Sequence, residues 1–360
     1  MTKQLKSILI FICLSVIILK CSEIYDPLLD IPEDILVVEA RMTDDSGTYF
    51  VKLSLTSPFN RSTVTNPVSG AKVWVRDNND GSIDHYTETS SGQYSFSPDS
   101  DGTGVPGHSY VLHIETSEGD LFESIPEVMS SPSQIDSVYG IKKSRAELIE
   151  SPDGGSLIYK NRSYLDIISD IQSNTDSIPR VRFEPGWIYE MIDYHRDVTG
   201  GPPLPPTFSW SYIQEVSINI SDAAQNNILK EQKSGSLLLD YLPGFYKDQN
   251  LQYIILITDY YYLNEDSYNF YIGIEKQLSA DNALFDPIAA QIEGNIHCLN
   301  NSGKYVAGLF DVASHQLAAF FVNPNSSGSP ATIRQIQNLH GLPSTNEGKT
   351  EGIPPEWWFD

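Results

Sequence analysis

In "TYFVKLSL", residues 48–55, Tyr49, Val51, Leu53 and Leu55 alternate with Phe50, Lys52 and Ser54. A period of two sends successive side chains to opposite faces of an extended chain, so the segment reads as a half-buried β-strand. Its neighbours follow suit. "GAKVWVRD" (70–77) sets Ala71, Val73 and Val75 against Lys72, Trp74 and Arg76, and "SYVLHIET" (109–116) alternates through Tyr110, Leu112 and Ile114. "ILVVEAR" (35–41) is a more continuous apolar strand, "DNNDG" (77–81) a turn, "HYTETSSGQYSF" (85–96) a hairpin, and "LFESI" (121–125) a closing strand.

Seven short strands in so little chain predict a β-sandwich over residues 35–126, resembling immunoglobulin or transthyretin-like modules. The Pro/Ser-rich "PEVMSSPSQ" (126–134) marks a boundary, and a second β-rich domain is expected over 135–323. Its strands are "SLIYK", "YLDIISDI", "VRFEPGWIYEM", "YIQEVSINI", "LQYIILITDYYYL", "AAQIEGNIHCL", "YVAGLFDV" and "LAAFFVN". One short helix is expected over Asp266–Ser279, where Tyr268, Tyr271, Ile272 and Leu278 fall near one face. The segment "DVTGGPPLPPTFS" (197–209) is too rich in proline for regular structure and reads as an exposed loop. Residues 324–360 read as a tail rich in Pro, Gly and Asn. The fold class is therefore mostly β.

The chain carries 47 acidic and 23 basic residues, a net charge of −24. Setting aside Lys3, Lys6 and Lys20 leaves 20 basic side chains on the remainder. Such a field excludes nucleic acid, whose phosphates need Lys and Arg partners, and disfavours docking on anionic lipid through a basic patch.

Lys3 and Lys6 precede the apolar run Ile8–Leu19. A run of twelve residues is too short for a bilayer-spanning helix, which needs about twenty, so residues 1–20 read as a signal peptide. "IILKC" resembles a lipobox: Ile18 stands at the branched aliphatic position, Leu19 follows, and Cys21 is the expected lipidation site. Lys20 stands where a small residue is the rule. Residues 21–34 then form an acidic tether, and "SEIYD" resembles the surface-export signal of Bacteroidota lipoproteins. The expected location is the outer membrane, lipid-anchored and surface-exposed.

No catalytic constellation stands out. "GTGVPG" (102–107) has dinucleotide-loop spacing but leads into a strand, and "DNNDG" lacks the closing glutamate of a calcium loop. The seven histidines show no zinc spacing, and G-x-S-x-G is missing. No cofactor and no metal site is expected. Cys298 reads as a small buried hydrophobe. Aromatics concentrate at Tyr260, Tyr261 and Tyr262 and at Trp357 and Trp358; they either pack in the core or, where exposed, anchor an interface. Ser137 and Ser177, each in an Asp-Ser-aliphatic tripeptide, resemble Bacteroidota O-glycosylation sites.

The blocks "LVVEARMTDD", "YFVKLSLTSPF", "NPVSGAKVWVRDNNDG", "GVPGHSYVLHIETSEGDLFES" and "QIDSVY", then "VRFEPGWIYE", "LFDPIAAQIEGNIHCLNNSGKYVAGLFDVAS" and the terminal "PPEWW", are similar to a Bacteroidota lipoprotein family known only as domain of unknown function 4249. Genes of that family commonly neighbour those of TonB-dependent outer-membrane transporters. The resemblance implies such a transporter as partner, in ligand binding or channel capping, and implies no catalytic residues. The function expected is thus that of a non-enzymatic surface lipoprotein. A cell-surface glycan-active enzyme and a structural or adhesive lipoprotein are the alternatives.

Overall fold

The computed structural model describes residues 35–56, 66–98, 104–151, 154–173, 178–193, 207–214, 218–222, 227–239, 254–279, 292–301, 303–322, 333–336 and 350–351. The architecture is mostly β, with a single helix among the described residues. The strands of the first half are β1 (Leu36–Met42), β2 (Tyr49–Leu55), β3 (Asn66–Pro67), β4 (Lys72–Asp77), β5 (Ile83–Ser90), β6 (Gln93–Phe96), β7 (Ser109–Glu115), β8 (Leu121–Ser124) and β9 (Glu127–Val128). Then come β10 (Gln134–Glu150), β11 (Leu157–Gln172), β12 (Val181–Asp193), β13 (Thr207–Gln214), β14 (Asn219–Ile220), β15 (Ile228–Leu238) and β16 (Ile254–Leu263). Helix α1 (Glu265–Ser279), β17 (Ile296–Cys298), β18 (Val306–Val322), β19 (Ile333–Ile336) and β20 (Thr350–Glu351) complete the order.

The alternation read from the sequence is the alternation that is buried. Leu36, Val38, Ala40 and Met42 of β1, Tyr49, Val51 and Leu53 of β2, Val73 and Val75 of β4, and Tyr110, Leu112 and Ile114 of β7 form one core. A second core gathers Leu165, Ile167 and Ile171 of β11, Phe183 and Trp187 of β12, and Leu256, Tyr260 and Tyr262 of β16. The chain from Ile35 onward forms one compact unit, because strands from either side of residues 126–134 pair with one another. β17 pairs with β8, and β1 pairs in parallel with β18 from Leu36↔Val306 to Met42↔Val312.

β18 belongs to both cores. Its first part lies beside β1 and contributes Phe310 and Val312 to the first core; from Ala313 onward it pairs with β16 and contributes Ala318, Phe320 and Val322 to the second. "YVAGLFDV" and "LAAFFVN", expected as two strands, are therefore one, and so are "SLIYK" and "YLDIISDI" within β11. β10 is a strand that hydrophobic alternation does not reveal, since five of its seventeen residues are Lys, Arg or Glu. Of the proline-rich loop expected at 197–209, residues 207–209 belong to β13; the rest lies outside the described residues.

The helix begins one residue earlier than expected. Asn264 caps it, its Oδ1 accepting the Ser267 N–H at 2.9 Å, and Glu265 and Asp266 place negative charge at its N-terminal end. Leu278, expected on the packed face, is exposed.

The parallel pairing depends on glycine. Gly308 sits at φ +106°, and a Cβ there would stand 1.9 Å from the Val38 carbonyl oxygen; a Cβ on Gly294 would stand 1.8 Å from the Gly308 oxygen. Three backbones approach where no side chain fits. Gly308→Ala is expected to cost about 3 kcal/mol or more. Gly119→Ala, at φ +90° with open space around it, is expected to cost only about 1–2 kcal/mol. Urea unfolding midpoints of the two variants against the wild type check this order.

Candidate functional site

Charged residues inside apolar strand runs converge where β1, β12, β16, β18 and α1 meet. Glu184 Oε1 accepts from Arg41 Nη2 at 3.2 Å and from Arg182 Nη1. Asp311, 2% exposed, sits with Oδ2 3.5 Å from Arg182 Nη2 and 3.6 Å from Arg41 Nε, and the same oxygen accepts the Tyr271 hydroxyl at 2.8 Å. Both guanidiniums lie over the Tyr261 ring, Arg41 at 4.6 Å and Arg182 at 4.5 Å, and Arg182 also lies 4.5 Å from the Tyr271 ring. Burial opposes ionisation of Glu184, but the two arginines outweigh it and hold the carboxyl below its ordinary range. The Tyr271 hydroxyl is pushed up by burial and by Asp311. Two cations face two anions here, each engaged by more than one partner. Such a group locks strands together and leaves no carboxylate pair open to a substrate.

His315 extends the cluster along β18. Its Nε2 lies 2.7 Å from Asp259 Oδ1 and its Nδ1 2.9 Å from Asp45 Oδ2, while its backbone N–H donates to Asp44 Oδ1 at 2.7 Å. Its ring stacks on Tyr261 with centroids 4.9 Å apart. Burial works against the charge, but hydrogen bonds to Asp259 and Asp45 and the field of both carboxylates push the imidazole up to about 9.

A cleft of about 320 Å³ opens beside α1, lined by Asp266, Asn269, Phe270, Glu293, Asn295 and Leu309 among others. Below it, Glu127 is 1% exposed and accepts from Asn295 Nδ2 at 2.6 Å and from Asn264 Nδ2. Burial pushes its carboxyl up to about 7, against the two amides. The cleft matches the lower end of small-ligand site volumes. Among the described residues, no group of three or more His, Cys, Asp or Glu is placed to hold a metal ion.

The residues singled out from sequence fall in different places. Tyr260 and Tyr262 are core residues, 0% and 1% exposed; Tyr260 bonds to Ser169 and Tyr262 to the Ser133 carbonyl. They therefore present no interface, because β16 is buried on both faces. Tyr261 is half-buried between arginines and His315. Ser137 is exposed on β10, its hydroxyl donating to Asp170 Oδ2 at 3.0 Å. Cys21, Ser177, Trp357 and Trp358 lie outside the described residues. Asp77 and Asp80 of "DNNDG" accept the backbone N–H groups of Asn79 and Ser82, as turn residues do. His113, on β7, faces Glu123 at 3.1 Å and stacks on Trp74. Arg41, Arg182, Glu184, Asp311 and His315 escape motif reading because they come from distant strands. Their one local signal is a charge inside an apolar run, as in "VVEARM" and "GLFDVA".

A family model described as "Domain of unknown function (DUF4249)" matches residues 22–316. No curated protein and no solved structure matches the chain.

Two outcomes test the cluster. Asp311→Ala leaves the buried Arg182 guanidinium and the half-exposed Arg41 short of a partner and is expected to cost roughly 3 kcal/mol in urea unfolding. The folded-state pKa of His315 lies above its ordinary 6.5, so its stabilising contribution is complete below about pH 6.5 and is lost as pH rises through about 9. The stability difference between the wild type and His315→Asn should shrink across that window.

Proposed function

We propose that this chain, which belongs to the DUF4249 family, is a lipid-anchored protein of the outer-membrane surface that works by binding, without catalysis, beside a TonB-dependent transporter. One observation carries the anchored reading. The apolar run Ile8–Leu19 stops two residues before Cys21, and the family match begins at Ser22, the residue that follows the expected lipidation site. Residues ahead of Cys21 thus stand apart from the family domain, as a removed signal would. Among the described residues no helix is long and apolar enough to cross a membrane.

The binding reading is supported by the geometry of the charged cluster, whose carboxylates are engaged by arginines, and by the cleft beside α1, sized for a small ligand. The transporter is the partner implied by the family resemblance. Tethering both proteins to one membrane raises their effective concentration, so a modest direct contact suffices.

The anchor is tested by mass spectrometry of the N-terminal peptide and by Cys21→Ser. A mature chain starting at a lipid-bearing Cys21 is expected, and Cys21→Ser should leave the protein unlipidated; a wild-type chain that keeps residues 1–20 on the membrane overturns the reading. Affinity purification from gently solubilised outer membrane should recover a TonB-dependent transporter, and recovery of the protein alone favours the adhesive or structural alternative.

A further inference from the structure

The cleft beside α1 has one wall from the helix and one from residues 292–295. Asp266, Asn269 and Phe270 line the first, because positions i, i+3 and i+4 fall on one face of a helix. Gly273 continues that face, and a Cβ there would stand 3.3 Å from Ile292 Cγ2, so the walls close on each other at that end. The second wall is fixed by β18. Asn295 Nδ2 donates to the Phe310 carbonyl at 2.8 Å, its Oδ1 accepts the Phe310 N–H at 2.8 Å, and Gly294 lies against Gly308 where no Cβ fits. A wall set before any ligand enters lowers the ordering cost of binding.

The lining divides by chemistry. Ile125, Phe270, Ile292 and Leu309 supply apolar surface, Asp266 and Glu293 bring a carboxylate to each wall, and no basic side chain lines the cleft. Among the described residues neither carboxylate is held in a salt bridge or a hydrogen bond. Behind Asn295, Glu127 is a third carboxylate, buried and bonded to two neutral amides rather than to a cation. Burial raises its pKa, and the charges of Asp266 and Asp311 add to that rise. Asp311 lies two residues beyond Leu309 on the same face of β18, and its Oδ1 is buried and accepts no hydrogen bond among the described residues. Ser267 Oγ, beside Asp266 on α1, is likewise buried without a partner. Unpaired buried polar atoms are rare and mark places where a partner belongs. The charge left unmatched on and below the cleft is thus negative.

We propose that this cleft binds a small organic cation, an ammonium or guanidinium group on an apolar body, with the charge between Asp266 and Glu293 and the body against Phe270 and Leu309. This rests on the binding role proposed above and names the chemistry of its ligand. A cleft lined by one sign of charge focuses the field between its walls, which an open acidic surface does not do. The apolar wall selects for a hydrophobic body and against a bare inorganic cation, and Phe270 offers a ring face to the ligand.

The test is isothermal titration calorimetry on the full chain purified from native membrane, at neutral pH. The probes are the cations phenethylamine and hexylamine, the neutral phenylethanol and the anion phenylacetate. Both amines are expected to bind saturably at one site, about 10-fold or more tighter than phenylethanol, and phenylacetate is expected not to bind. Asp266→Asn with Glu293→Gln should keep the thermal unfolding profile, lower amine affinity about 10-fold or more and leave phenylethanol unchanged. Should that pair disturb folding, Glu293→Gln alone carries the test, with an expected loss of about 3-fold. Three results overturn the inference: neither amine binds saturably, phenylethanol or phenylacetate binds as tightly as the amines, or the neutralised variant binds amines as well as the wild type, which assigns them to the acidic surface at large. A transporter recovered from the membrane without amine binding overturns the cleft inference alone. Amine binding without a recovered transporter supports the cleft and overturns the choice of partner.

Discussion

Everything in this fold depends on the parallel contact between β1 and β18. The paired residues are separated by about 270 positions in the chain, so the loop-closure cost is near the upper end for a unit of this size, though it grows only slowly with length. What offsets it is continuous on both sides of the contact. Leu36, Val38, Phe310 and Val312 share the first core, and the same β18 strand runs on to carry Phe320 and Val322 into the second. The approach is close enough that Gly308 and Gly294 have no room for a Cβ. On the polar side, Arg41 of β1 and Asp311 of β18 meet Arg182 and Glu184 of β12. The cluster thus marks the junction where the two cores meet, and its charges hold strand registers together.

This arrangement also explains where binding surfaces fall. The strands around the junction are buried and their charged side chains are paired with one another, so little of their chemistry faces outward. The cleft beside α1 opens at the edge of this junction, lined by Gly294 and Leu309 among others.

Much of the first core was legible because its strands are amphipathic. Tyr49, Val51, Leu53, Val73, Val75, Tyr110, Leu112 and Ile114 are buried as their alternation requires. The helix was legible from its apolar spacing, although Leu278 shows that the stripe does not extend to the last turn. Other features were hidden for physical reasons. β16 is buried along most of both faces, so Tyr260 and Tyr262, which read in sequence as part of an aromatic cluster, are core in three dimensions. β10 is stabilised by pairing with β11 rather than by a buried face, and its charged residues mask it. The charged cluster assembles from four strands and a helix, and no spacing rule reaches across such separations.

The claim that two cores are keyed at β1–β18 is tested most directly by native-state hydrogen exchange on the isolated protein, resolved by strand. The account predicts that amides of Leu36–Met42 and Val306–Val322 open only with global unfolding, with the same dependence on denaturant. Amides of β1 that open well before those of β18 would contradict it.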